Sequence, residues 1–266
     1  MVNQFFGLKS NPFDKDVRTG DMFRSGDVME LESRLKYMQE CRGVFLLVGE
    51  PGSGKTAALR KFIDDIGQTL FRPFYLPLTT LTVTDFYTAI TAILGENPKH
   101  KKIDMFRQIQ SAIASLYFDQ RITPVFVLDE IHMAPSAVLD DLRMMFNFRM
   151  DSVNPYILIL AGQPAIRSKL AINACLPLRQ RIAARYSMKG LSLQETAAYL
   201  AAGLKRAGLD RNIFTDRALS GIHAHSKGFP RNINNIATQA MIYCASKTLD
   251  TVDEEAVYMA SVELSS

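Results

Sequence analysis

Four short stretches of this chain are apolar without interruption: GVFLLV (43–48), PFYLPL (73–78), PVFVLD (124–129) and YILILAG (156–162). Each is too short for a helix, and none alternates with polar residues. They read as strands covered on both faces. Between them, apolar positions recur at helical spacing over about 55–70, 84–95, 103–119 and 136–150. Strands alternating with helices imply parallel βαβ units. From Leu193 onward the pattern becomes wholly helical. Ser192 and Glu195 have capping-box spacing ahead of TAAYLAAGLKRAG, and Gly208 ends that segment after Lys205 and Arg206. Thr215 opens DRALSGIHAHS, and PRNINNIATQAMIYCASK and DEEAVYMASVEL are two further helices. The expected layout is an α/β domain over residues 1–191 and a small all-α domain over 192–266.

Composition narrows the class. The 266 residues are 47% hydrophobic and 22% charged, as in an ordinary globular protein, and the net charge of +4 permits an anionic partner without requiring one. No stretch approaches the roughly 18 apolar residues that span a bilayer, and MVNQFFGLKSNPFDKD lacks the pattern of a signal peptide. The expected location is cytoplasmic, with no membrane partner. Cys41, Cys175 and Cys244 lie far apart and have no zinc or redox spacing, so they read as small hydrophobes. His223 and His225 have no cysteine or carboxylate cluster beside them to complete a metal site.

Residues 49–56, GEPGSGKT, match G-x-x-x-x-G-K-[ST] between a strand and a helix. Glycines at these positions let successive N–H groups turn inward as an anion nest, and the helix start adds its positive end. Glu50, Pro51, Gly52, Ser53, Gly54, Lys55, Thr56 and Ala57 are therefore expected to hold ATP, with Lys55 on the terminal phosphates and the Thr56 hydroxyl on Mg²⁺. PVFVLDE then ends a strand in two carboxylates. Asp129 is expected to hold the Mg²⁺ shell and Glu130 to polarise the attacking water. A phosphoryl transferase has no need of that glutamate; an ATP hydrolase does. Gln163, at the end of the 156–162 run, stands where a polar side chain can orient the water. LPLRQRIAARYSM places Arg179, Arg181 and Arg185 close together, and Arg231 begins a helix just after Gly228 and Pro230. A cation at a helix N-terminus opposes the dipole, which suggests that an anionic ligand compensates it.

In order and spacing these pieces resemble the AAA+ ATPases. GEPGSGKT looks like Walker A, VFVLDE like Walker B, Gln163 like sensor 1, RQRIAARY like the arginine-finger region and GFPRNIN like sensor 2. FFGLKSNPF, LRQRI and GFPRNIN are similar to signatures of the ExeA-like branch. The resemblance implies a parallel five-stranded sheet flanked by helices, followed by an all-α lid. It implies Arg181 as a finger acting in trans, with Arg185 next in line, Arg231 on the phosphates in cis, and an N-terminal segment (1–40) whose Asn11 and Pro12 lie near the adenine.

A finger in trans implies an ATP-dependent homo-oligomer, a ring or a helical filament. Within the branch, a chain of this length resembles the helper ATPases encoded beside transposases, which assemble on duplex DNA and present a target to the transposase. The expected function is regulation of DNA transposition. DNA contacts are expected to be sequence-independent and to run through Lys101 and Lys102, in a cluster with Lys99 and His100, and through Thr80 and Thr82, among Thr79 and Thr84. The alternatives are a secretion-assembly ATPase, which is expected to carry a membrane segment and an envelope region after the ATPase, and a replication initiator or loader, expected to add a DNA-reading domain.

Overall fold

The computed structural model describes residues 2–14, 17–78 and 82–265. Thr79 and Thr80, both expected at a DNA surface, lie outside the described residues. Five strands form one sheet: β1 (Gly43–Val48), β2 (Phe71–Pro77), β3 (Thr123–Asp129), β4 (Ile157–Gly162) and β5 (Ile182–Ser187). They lie in the order β2-β3-β4-β1-β5, and every neighbouring pair is parallel.

The three inner strands are buried at every position, which is why they read as unbroken apolar runs. Val44, Leu46, Phe126, Leu128, Leu158 and Leu160 join one core cluster. The alternate residues Phe45, Leu47, Val127 and Ile159 are equally buried, so both faces of the sheet are covered. β5 is not among the four apolar runs that read as strands, and it completes the expected five-stranded sheet. It is an edge strand with a mixed pattern of burial, and Arg185 stands exposed on it.

In chain order the helices are α1 (Val2–Phe6), α2 (Gly26–Cys41), α3 (Lys55–Asp65), α4 (Val83–Ile93), α5 (Lys102–Ala114), α6 (Ser136–Met145), α7 (Ala165–Ala171), α8 (Leu176–Gln180), α9 (Leu193–Arg206), α10 (Asp216–Ser226), α11 (Pro230–Lys247) and α12 (Glu254–Ser265). Residues buried on α4, α5 and α6, among them Phe86, Ile90, Ile109, Leu139 and Leu142, complete the sheet-side cluster. No helix among the described residues is long and apolar enough to cross a membrane.

The chain divides into two compact units. One comprises Glu30–Glu50 and Lys55–Met188; the other comprises Met1–Met29, Pro51–Gly54 and Lys189–Ser266. The start of the chain thus groups with the C-terminal helices, whereas the sequence reading had assigned it to the α/β domain. The reason is packing. Phe6, Leu8 and Phe13 are buried in the same cluster as Leu200, Leu204, Ile213, Ile233 and Met241. Gly203 lets the segment come close, since a Cβ there would fall 2.9 Å from the Pro12 carbonyl oxygen. Asn11 accepts the Phe13 N–H at 3.0 Å, and Arg206 donates to the Pro12 carbonyl at 3.0 Å. The second of these bonds holds Pro12 against α9, and the first shapes the turn that follows Asn11.

Candidate functional site

The loop between β1 and α3 turns on two glycines in the left-handed region, Gly52 (φ +78) and Gly54 (φ +95). Lys55 follows as the first residue of α3 and is buried. Its ammonium donates to the Gly49 and Glu50 carbonyls at 2.7 and 3.0 Å, which anchors the side chain along the loop. Ser53 is 3% exposed, and its hydroxyl oxygen has no hydrogen-bond partner among the described residues. A buried hydroxyl without a partner is costly, and it marks a place for a ligand group. Arg231, in the same unit as residues 51–54, lies directly on the loop: its N–H donates to the Gly52 carbonyl at 3.3 Å.

Asp129 ends β3 at 2% exposure and is bonded through both carboxylate oxygens. The Thr56 hydroxyl donates to Oδ2 at 2.7 Å, and the Tyr75 hydroxyl donates to the same oxygen at 3.2 Å. Oδ1 accepts the Glu130 N–H at 2.9 Å. A threonine hydroxyl and a carboxylate this close are two hard oxygen donors that fit one Mg²⁺ shell. Thr56 and Asp129 thus fit the magnesium of a nucleotide. Tyr75 was absent from the sequence reading. Burial, and then the charge of Asp129, push its phenol up to about 12, so it remains a donor to that carboxylate.

Glu130 occupies a left-handed turn (φ 57, ψ 34) that opens a short 3-10 turn, Ile131–Met133. Its side chain is 44% exposed, and Oε2 lies 3.2 Å from His132 Nδ1. Although near, that oxygen is not aligned for a hydrogen bond and is shielded from solvent. His132 is 11% exposed and accepts the Gln163 N–H at Nδ1, at 3.4 Å. Lys169 on α7 fixes the turn by donating to the His132 and Ala134 carbonyls at 2.5 and 2.9 Å. Glu130 and Gln163, far apart in sequence, thus meet around one imidazole.

The arginines divide. Arg181 caps α8 and is 16% exposed; it donates to the Arg143 carbonyl at 2.5 Å and pairs with Asp151 at 2.8 Å. Arg185 and Arg179 are exposed. At the residues expected to meet DNA, Thr82 caps α4, its hydroxyl exchanging bonds with Asp85. Lys102 pairs with Asp141 at 2.7 Å and lies over the Tyr87 ring, and Lys101 is the exposed N-cap residue of α5.

Comparison with known proteins bears on the fold. Residues 39–170 match the family model described as AAA domain. General secretion pathway protein A of Aeromonas hydrophila is 30% identical over 269 residues. That alignment takes in 100% of this chain and 49% of that protein, so the chain spans about half the length of the curated relative it matches. Among solved structures, Cdc6p of Pyrobaculum aerophilum superposes with a TM-score of 0.71 at 16% identity, over 95% of this chain and 70% of that one. The Aeropyrum pernix ORC1 protein in complex with DNA superposes with a TM-score of 0.66 at 17% identity, over 95% of this chain and 68% of that one. The chain has the AAA+ P-loop fold, and its AAA-domain match contains Lys55, Thr56, Asp129 and Glu130.

Proposed function

We propose that this chain is an ATPase in which Glu130 activates water. The observation that carries the reading is the Asp129 carboxylate, bonded at one oxygen by the Thr56 hydroxyl and at the other by the N–H of Glu130. The chemistry that Mg²⁺ would supply here is neutralisation of the developing phosphate charge. Thr56 and Asp129 would hold the ion, Lys55 would neutralise the phosphates from the loop, and Ser53 would gain a partner for its hydroxyl. Glu130 would then take the proton of a water aligned on the terminal phosphate. Gln163, at the end of β4, would orient that water. In a homo-oligomer Arg181 would serve the neighbouring site as a finger, after exchanging its bond to Asp151 for phosphate, and Arg231 would act in cis. Asn11 and Pro12 would lie by the adenine.

The test is Glu130→Gln, which keeps size and hydrogen bonding but removes the base. ATP turnover should fall by roughly 100-fold or more, in the range of lost general-base catalysis, while ATP affinity remains. Unchanged turnover would overturn the reading.

For the work done by the ATPase, we propose ATP-dependent assembly on duplex DNA in the service of a transposase. Similarity in fold to a protein solved in complex with DNA supports the DNA part of it, while the FFGLKSNPF, LRQRI and GFPRNIN resemblance to the ExeA-like branch is common to this reading and the next. A second reading, secretion assembly, is favoured by the 30% identity to General secretion pathway protein A. Binding to duplex DNA separates the two.

A further inference from the structure

Nδ1 of His132 faces two groups with opposite needs: the Gln163 N–H at 3.4 Å and the Glu130 carboxylate oxygen at 3.2 Å. A neutral imidazole nitrogen either accepts or donates. While Nδ1 accepts from Gln163 it cannot donate to Glu130, and the shielded Glu130 Oε2 stands without a hydrogen bond. When the proton moves from Nε2 to Nδ1, by exchange with solvent, and the Glu130 carboxylate turns into line, Nδ1 can donate to it, and Gln163 must then find another acceptor.

The surroundings hold the ring in this position. A Cβ on Gly162 would lie 3.0 Å from Ile131 Cγ2 and 3.2 Å from the His132 backbone nitrogen, so the glycine at the end of β4 makes room for the turn that carries the imidazole. Lys169 binds the two carbonyls of the turn rather than the ring. Glu130 is the charged side chain placed against the ring, and its backbone sits in the left-handed region, which costs a non-glycine residue about 1 kcal/mol or more.

We propose that His132 is a positioning residue for hydrolysis, passing its Nδ1 from Gln163 to Glu130 when the Gln163 N–H finds another acceptor at the nucleotide. Once made, the bond fixes the Glu130 carboxylate in one orientation and couples the end of β4 to the base. This rests on Glu130 being the base, and it adds the group that aims it.

The experiment compares His132→Ala, His132→Phe and His132→Asn in the full chain, using steady-state ATP turnover and fluorescent ATP-analogue binding. Phe keeps a ring against Gly162 but has no nitrogen. Asn places an amide, with both a donor and an acceptor, near the position of Nδ1. Ala and Phe should lower kcat roughly 10- to 100-fold, as loss of a supporting partner does, with KM and ATP affinity within about threefold of the parent. Asn should restore most of the turnover. Adding His132→Phe to Glu130→Gln should cost nothing further, because both remove the same step. Full turnover in a folded His132→Phe protein would overturn the proposal, as would a loss in all three variants that appears in KM. An inactive Glu130→Gln beside a fully active His132→Phe leaves the ATPase reading intact and removes only this one. An active Glu130→Gln removes the base itself.

Discussion

Gly52 meets two requirements at once: a left-handed backbone and space for a neighbour. A Cβ at this position would fall 2.6 Å from the Cβ of Arg231, a backbone-anchored atom that cannot swing away. Gly52→Ala should therefore cost about 1–2 kcal/mol for the backbone alone, with the clash in addition. A lower melting temperature together with weakened ATP binding is the expected result, and a variant that melts and binds like the parent would refute it. At this scale the sequence named much of the candidate site. The loop, Asp129, Glu130, Gln163 and Arg231 are legible because each belongs to a spacing with a physical meaning. His132 and Tyr75 were not. Their partners, Gln163 and Asp129, are 31 and 54 residues distant, and only strand register brings them together. The signal that was available is the alternation in β2, which puts Tyr75 opposite Val127, two residues before Asp129.

Among the elements, α9 begins as its sequence indicated. The Ser192 hydroxyl accepts the Glu195 N–H at 3.2 Å, and the Glu195 carboxylate accepts the Ser192 N–H at 2.9 Å. Glu195 also accepts the Gly26 N–H at 2.8 Å. The Ser192 N–H foremost, then that of Gly26, hold the Glu195 carboxyl below the usual carboxylate range. Ser192→Ala should lower stability by about 1 kcal/mol, seen as a fall of a few degrees in melting temperature. Glu195→Gln adds a test by pH. A carboxyl with a depressed folded value stabilises fully above the ordinary glutamate range and loses that contribution as pH falls through the depressed value. The variant should melt below the parent at neutral pH, and the gap should close in acid; a gap that widens in acid would refute the assignment. β5 shows where pattern reading failed. IAARYS has its arginine and its partial burial at an edge, so it lacks the apolar run that marks the inner strands.

For the molecule as a whole, the sharpest question is what an ATP-driven assembly holds. The structure changes the expected weight of its lysines. Lys102 is partly neutralised by Asp141, whereas Lys101 is exposed at the start of α5. Gel shifts on unrelated duplexes should show binding with ATP and little without it, and Lys101→Ala should weaken binding more than Lys102→Ala, about equally on every sequence and with a flatter salt slope. No binding in any nucleotide state would favour the secretion reading. The sheet itself has two unlike margins. β2 carries Pro73 and Pro77, which have no N–H to offer another strand. β5 is without proline, and Arg34 covers one of its carbonyls by donating to that of Arg185 at 2.8 Å. Exposed strand margins are templates for stray pairing between chains, so the β5 side is where clumping of this protein would start and where a single well-placed proline would suppress it.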